Sequence, residues 1–182
     1  SILTSVSSHA DETEENTGVA EFHYFRVTDP IGFVTAIDTH YGSECAAKWQ
    51  KTSGAIVILA QVSGDQATHM IYVGYPNYGK MAKGRVLFRS CTETSTMIAT
   101  INKTTDTDSY SNVIFESVMS FNADSINKYY VKTDVKIATA KEADYNKAFV
   151  EFLADYTTEN GVGRDIHASF IDTSHHGINR VL

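Results

Sequence analysis

Cysteine, proline and tryptophan are scarce in this 182-residue chain, at two, two and one. The two cysteines, Cys45 and Cys91, permit one bridge or two buried thiols. They exclude a multiply stapled scaffold and any Cys-x-x-Cys redox or zinc pair. Long apolar runs are missing as well. A membrane helix needs roughly 18 to 20 consecutive apolar residues, and residues 55–60 form only a strand-sized stretch. No Gly-rich phosphate loop and no nucleophile elbow is present, which argues against nucleotide-binding and serine-hydrolase chemistry. Positive charge is in deficit, with 15 Lys and Arg against 22 Asp and Glu and a net charge of -7. Such a chain repels phosphate backbones, so nucleic acid is not an expected partner.

What remains is ordinary globular material, 42% apolar and 20% charged, enough for a sizeable core. Residues 1–18 are polar and acidic with no apolar period, and read as a flexible leader. The leader, the even cysteine count and the Asn102-Lys103-Thr104 triplet together point weakly to export, to a secreted or periplasmic setting. The most informative feature is a segment used twice. Residues 21–41 and 130–156 each run from an alternating strand through a capped turn into an amphipathic helix.

In residues 20–28 Phe22 and Tyr24 alternate with Phe25 and Val27, the pattern of a strand buried on both faces. Thr28-Asp29-Pro30 starts a helix, whose spacing at Phe33, Ile37, Tyr41 and Cys45 predicts one element ending near Trp49. Residues 55–62 and 68–75 form a hairpin pair around a Gly64-Asp65 turn. A helical zone follows with a break expected at Ser90-Cys91-Thr92, then a polar connection over 104–111 and a strand over 112–121. After residue 124 a strand (129–137) precedes a helix that starts at the capping-box spacing Thr139 to Glu142 and carries Tyr145, Phe149, Phe152 and Tyr156. Short strands are expected in 164–171 and 178–182.

The predicted class is α+β: a ferredoxin-like β-α-β-β-α-β unit over 19–123, then a partial second β-α-β unit over 124–182, antiparallel with helices on one face. The order, with Phe22-His23-Tyr24-Phe25-Arg26-Val27 opening it and Thr68-His69-Met70-Ile71-Tyr72-Val73 as its third strand, resembles the dimeric α+β barrel superfamily. That resemblance implies paired ferredoxin-like units enclosing a pocket. It leaves function open among cofactor-independent monooxygenases, haem-dependent enzymes, isomerases and non-catalytic members.

His23 and His69 fall on strands that neighbour one another in such a sheet, which makes them candidate catalytic groups, imidazole being able to carry protons near neutral pH. Ten Tyr and nine Phe suit a pocket for a flat, partly polar ligand, with Tyr24, Tyr72, Phe115 and Tyr130 as candidate lining. His167, His175 and His176 cluster near the end without tight metal-ligand spacing, so neither metal nor cofactor is expected. The leading expectation is a non-catalytic exported structural or assembly protein, or a small-molecule binder, of the barrel type. Its partners would be a second copy or a small apolar or aromatic ligand. The alternative is a cofactor-independent monooxygenase-like or isomerase-like enzyme on a small aromatic or apolar substrate.

Overall fold

The computed structural model describes residues 18–63, 66–119, 134–135, 137–160, 169–172 and 180–181. The first strand, β1 (Val19–Val27), is followed by α1 (Pro30–Tyr41), α2 (Glu44–Ser53), β2 (Ile56–Gln61) and β3 (His69–Tyr75). Then come α3 (Tyr78–Arg89), α4 (Thr92–Thr104) and the long β4 (Thr105–Met119). The described remainder is β5 (Asp134–Val135), a 3-10 turn (Thr139–Lys141), α5 (Glu142–Asn160), β6 (Ser169–Asp172) and β7 (Arg180–Val181).

Local chemistry accounts for most boundaries. Asp29 accepts from the Gly32 amide at 3.0 Å and Pro30 occupies the first turn of α1, as the sequence predicts. The single helix expected to reach Trp49 is instead two. Gly42 ends α1, and Ser43 caps α2 by accepting from the Ala46 amide at 3.2 Å, so a local cap outcompetes continued periodicity. At the end of α2, Gly54 adopts φ +67°, the left-handed region that only glycine enters cheaply. The break at residues 90–91 is present, between α3 and α4. Residues 104–111, expected as a connection, belong mostly to β4, which begins directly after α4. Val27 pairs with Thr105 and Arg26 with Asp106, and an irregularity between Tyr24 and Arg26 absorbs the change of register.

All described pairings are antiparallel, in one sheet of order β2-β3-β1-β4-β6-β7-β5. The first four positions are the ferredoxin-like order. β6 lies against β4, so strands from the second half extend the sheet of the first. One face carries Val19, Phe25, Val27, Ile71 and Val73 against Phe33, Ile37, Trp49, Met97 and Ile101 of the helices. The opposite face gathers Ala20, Phe22, Tyr24, Val113 and Phe115. Phe115 is 0% and Phe22 6% exposed, so β1 and β4 are buried on this face too, whereas Ile56 and Ile58 of β2 are exposed. Strand alternation thus gives β1 two buried faces, the double pattern its sequence displays. On the helix layer α1 packs beside α4 and α2 beside α3. At the second contact a Cβ on Gly84 would stand 2.7 Å from the Ser53 Cβ, so the close approach requires glycine. Among the described residues no helix is long and apolar enough to cross a membrane.

Candidate functional site

Alternation along β1 places Glu21 and His23 on the helix side, between Val19 and Phe25. Glu21 is a charged residue only 5% exposed, on the same sheet face as the apolar Val19, Phe25 and Val27. Burying a carboxylate is costly unless it is paired, and here Arg85 of α3 supplies the pair. The Arg85 Nε donates to Glu21 Oε1 at 2.8 Å, and Nη2 donates to the same oxygen. The Tyr75 hydroxyl approaches the other oxygen, Oε2, at 3.5 Å. Burial pushes the Glu21 carboxyl up, but the neighbouring His23 and Arg85 outweigh it, and the net direction is down. Glu21 is therefore an anion at neutral pH.

His23 connects this buried anion to the surface. Its Nε2 lies 3.8 Å from Glu21 Oε2, longer than a direct hydrogen bond. Its Nδ1 stands 2.9 Å from the Tyr110 hydroxyl, and the two rings stack at 6.2 Å. Burial raises the Tyr110 pKa, with Glu21 adding to the rise and Arg85 opposing it, so the phenol keeps its proton. A protonated phenol donating to Nδ1 leaves the imidazole N–H on Nε2, turned to the carboxylate. Tyr110 is 45% exposed and forms the outer end of the chain Tyr110, His23, Glu21.

His69 lies on the same sheet face but in another setting. The register sets it opposite Phe25, while His23 stands opposite Ile71. The His69 Nδ1 meets the Thr68 hydroxyl at 2.9 Å and its ring packs against Phe33 at 5.5 Å, whereas Glu21 and Tyr110 are the polar neighbours of His23. Burial lowers the His69 pKa. Tyr24, Tyr72 and Phe115 come together on the opposite sheet face around Phe22, whose ring centroid is 5.2 Å from those of Tyr72 and Phe115. Tyr130 lies outside the described residues, as do His167, His175 and His176. Among the described residues no group of three or more His, Cys, Asp or Glu is placed to hold a metal. Cys45 of α2 is joined to Cys91, the residue before α4, with Cα atoms 6.3 Å apart.

Sequence reasoning did not single out Glu21, Arg85, Tyr75 or Tyr110. Glu21 was findable: it is the one charge at an inward position of a strand read as buried on both faces. Arg85 and Tyr110 were not, since helix α3 and the displaced register of β4 bring them in from 64 and 87 residues away.

No family model matches the sequence, and no curated protein matches it. Among solved structures, a candidate monooxygenase from Fusobacterium nucleatum superposes with a TM-score of 0.60 at 11% identity, over 92% of this chain and 74% of its own. The cofactor-independent oxygenase SnoaB from Streptomyces nogalater matches 58% of this chain and 98% of its own, at 9% identity and TM-score 0.43. A dimeric protein of ferredoxin-like fold from Bacteroides fragilis matches 54% and 95%, at 14% identity and TM-score 0.37. The α+β fold with the ferredoxin-like order β2-β3-β1-β4 is what the superposition on the Fusobacterium protein supports. At these identities the likeness is one of fold, and one fold hosts more than one chemistry.

Proposed function

We propose that this barrel protein transfers a proton without a cofactor, acting on a small aromatic or apolar substrate in an isomerase-like reaction or, with dioxygen as co-substrate, a monooxygenase-like one. The observation that carries this reading is the hydrogen bond between His23 Nδ1 and the Tyr110 hydroxyl beside the buried Glu21 anion. A proton leaving the substrate passes to the Tyr110 oxygen as Tyr110 gives its own proton to Nδ1. The imidazolium so formed is balanced by Glu21. Glu21 is held in place by Arg85 and is not itself the acceptor. His69, with its Thr68 partner, is assigned no part in this relay.

The test is α-proton exchange of a probe ketone, 2-tetralone, in deuterated buffer, followed by NMR. Wild type should accelerate exchange over buffer, while His23→Gln and Tyr110→Phe should lose most of that acceleration, on the order of 100-fold for a missing general base. Exchange no faster than buffer, or variants equal to wild type, refutes the reading.

One observation favours a second reading, self-association. β2 ends the described sheet, and its Ile56 and Ile58 are exposed, at 65% and 38%. An apolar edge strand without charged side chains is a template for pairing with another copy. Ile56→Lys with Ile58→Lys should shift sedimentation toward monomer, and an unchanged profile rejects this edge as the interface.

A further inference from the structure

A proton leaves carbon only if the electrons it leaves behind have somewhere to go. Beside a carbonyl group they run onto the oxygen, which then needs a hydrogen-bond donor of its own. Glu21 is an anion and cannot donate, and Arg85 turns its Nε and Nη2 to Glu21.

The sheet register brings in a residue that the relay leaves unused. In β4, Asn112 stands directly opposite His23. Directly opposed residues project from the same face with Cβ atoms about 4.5–5.5 Å apart, so Asn112 shares the helix side with His23. Its neighbours agree: Ile114 packs against the helix-side core, while Val113 and Phe115 belong to the other face. Across the opposite flank of His23 lies Ile71, a buried aliphatic side chain. Tyr110 precedes Asn112 by two positions, on the same side by alternation and by its hydrogen bond to His23. A substrate that touches the Tyr110 hydroxyl at the imidazole is therefore also beside Asn112. Asn112 is half-buried, and among the described residues its carboxamide has no hydrogen-bond partner. Asparagine is depleted in strands, and no hydrogen bond within the sheet explains it at this position.

We propose that Asn112 is the oxyanion donor of this site and that the substrate is an enolisable ketone. The inference rests on the proton-transfer reading above and narrows its substrate class to molecules with a C–H beside a carbonyl group. The C–H bond breaks as its proton passes to the Tyr110 oxygen and the Tyr110 proton passes to His23 Nδ1. The C–H electron pair becomes the C=C bond of an enolate, and the carbonyl π pair settles on oxygen, where the Asn112 N–H donates to it. Return of a proton from Tyr110, to the same carbon or to the far end of a conjugated enolate, regenerates a ketone and resets the relay. A neutral amide suits the position, since an ammonium group so close to Glu21 would pair with that carboxylate instead.

The test measures α-proton exchange of 2-tetralone by NMR in the intact chain, comparing Asn112→Leu, which removes the donor at similar size, with Asn112→Ser, which keeps one. Asn112→Leu should lower kcat on the order of 100- to 1,000-fold, the effect of losing one oxyanion donor. KM should stay within about threefold of wild type, because the contact strengthens only as charge develops. Asn112→Ser should recover part of the lost kcat. Wild-type exchange no faster than buffer, or unchanged in Tyr110→Phe, overturns the proton-transfer reading and this inference with it. Exchange that falls in Tyr110→Phe but persists in Asn112→Leu overturns this inference alone. So does a loss carried by KM, or an Asn112→Ser variant no better than Asn112→Leu, since either marks a contact for binding or packing rather than for the developing charge.

Discussion

Replacing Arg85 with Met isolates what holds the buried Glu21 carboxylate. The substitution keeps the length of the side-chain stem and removes the charge, leaving Glu21 buried with Tyr75 and His23 alone. Breaking a fully buried pair by removing one partner costs about 3–5 kcal/mol. Arg85 is itself 35% exposed, so water replaces part of what it supplied, and the discounted figure is roughly 2–3 kcal/mol. In a domain of this size that lowers the melting temperature by about 5–10 °C. The pH dependence discriminates the cause. In wild type the folded Glu21 pKa lies below its ordinary 4.5, so its contribution is full above 4.5 and is lost as pH falls through the folded value. In Arg85→Met only His23 is left to oppose burial, so the folded value rises relative to wild type. The deficit relative to wild type should then be largest at neutral pH and shrink toward pH 4, as the carboxyl takes up a proton. Thermal unfolding followed by the fluorescence of the single Trp49 reads both effects, because Trp49 is buried at 1% exposure. Glu21→Gln added to Arg85→Met should restore part of the loss. A variant melting within about 1 °C of wild type, or a deficit independent of pH, would refute the reasoning.

The remaining predictions concern the scaffold. Cys45 and Cys91 close a loop of sequence separation 46, so reduction or a double Ser variant should cost about 3–4 kcal/mol on the chain-entropy estimate, read from denaturant midpoints with and without reductant; equal midpoints would contradict it. Gly54→Ala forces φ +67° on an L residue and brings a Cβ to 3.0 Å from Pro76 Cγ; it should lose roughly 1–2 kcal/mol in urea unfolding, and a neutral result would disprove the left-handed cap. Burial lowers the His40 and His69 pKa values below 6.5, so the unfolded chain binds protons first as pH drops. Stability should decline below about pH 6.5, with Glu93 moderating the His40 share, and a flat urea midpoint down to about pH 5 would contradict this.

Much of the fold was legible because its signals are local. The double alternation at Phe22, Tyr24, Phe25 and Val27 names a strand buried on both sides, and Asp29-Pro30 and Ser90-Cys91 mark helix boundaries where the structure has them. The α+β class and ferredoxin-like order follow from those pieces. The Gly42-Ser43 break was missed because helical spacing at Tyr41 and Cys45 continues across it, although Ser43 is a ready cap. Thr105 to Tyr110 reads as polar connection in sequence because its strand character comes from pairing with β1, a tertiary effect. The candidate site was half legible. His23 was singled out, and alternation puts it on the helix side, but the face of a strand says nothing about which distant side chain meets it. The pairing of His23 with Tyr110 rather than with His69 is set by β4 register, and the role of Arg85 by how α3 lies on the sheet. His40, at the end of α1, looked like an ordinary helix residue; that neither of its ring nitrogens has a hydrogen-bond partner among the described residues is visible only in three dimensions.

The relay of Tyr110, His23 and Glu21 is tested most directly by the tautomer of His23, measured by long-range nitrogen–proton NMR correlation in the labelled wild-type chain at neutral pH. The expected result is a ring N–H on Nε2 with Nδ1 accepting from Tyr110, and a change in that Nδ1 resonance in Tyr110→Phe. A proton found on Nδ1, or an Nδ1 resonance indifferent to the loss of the Tyr110 hydroxyl, would contradict it.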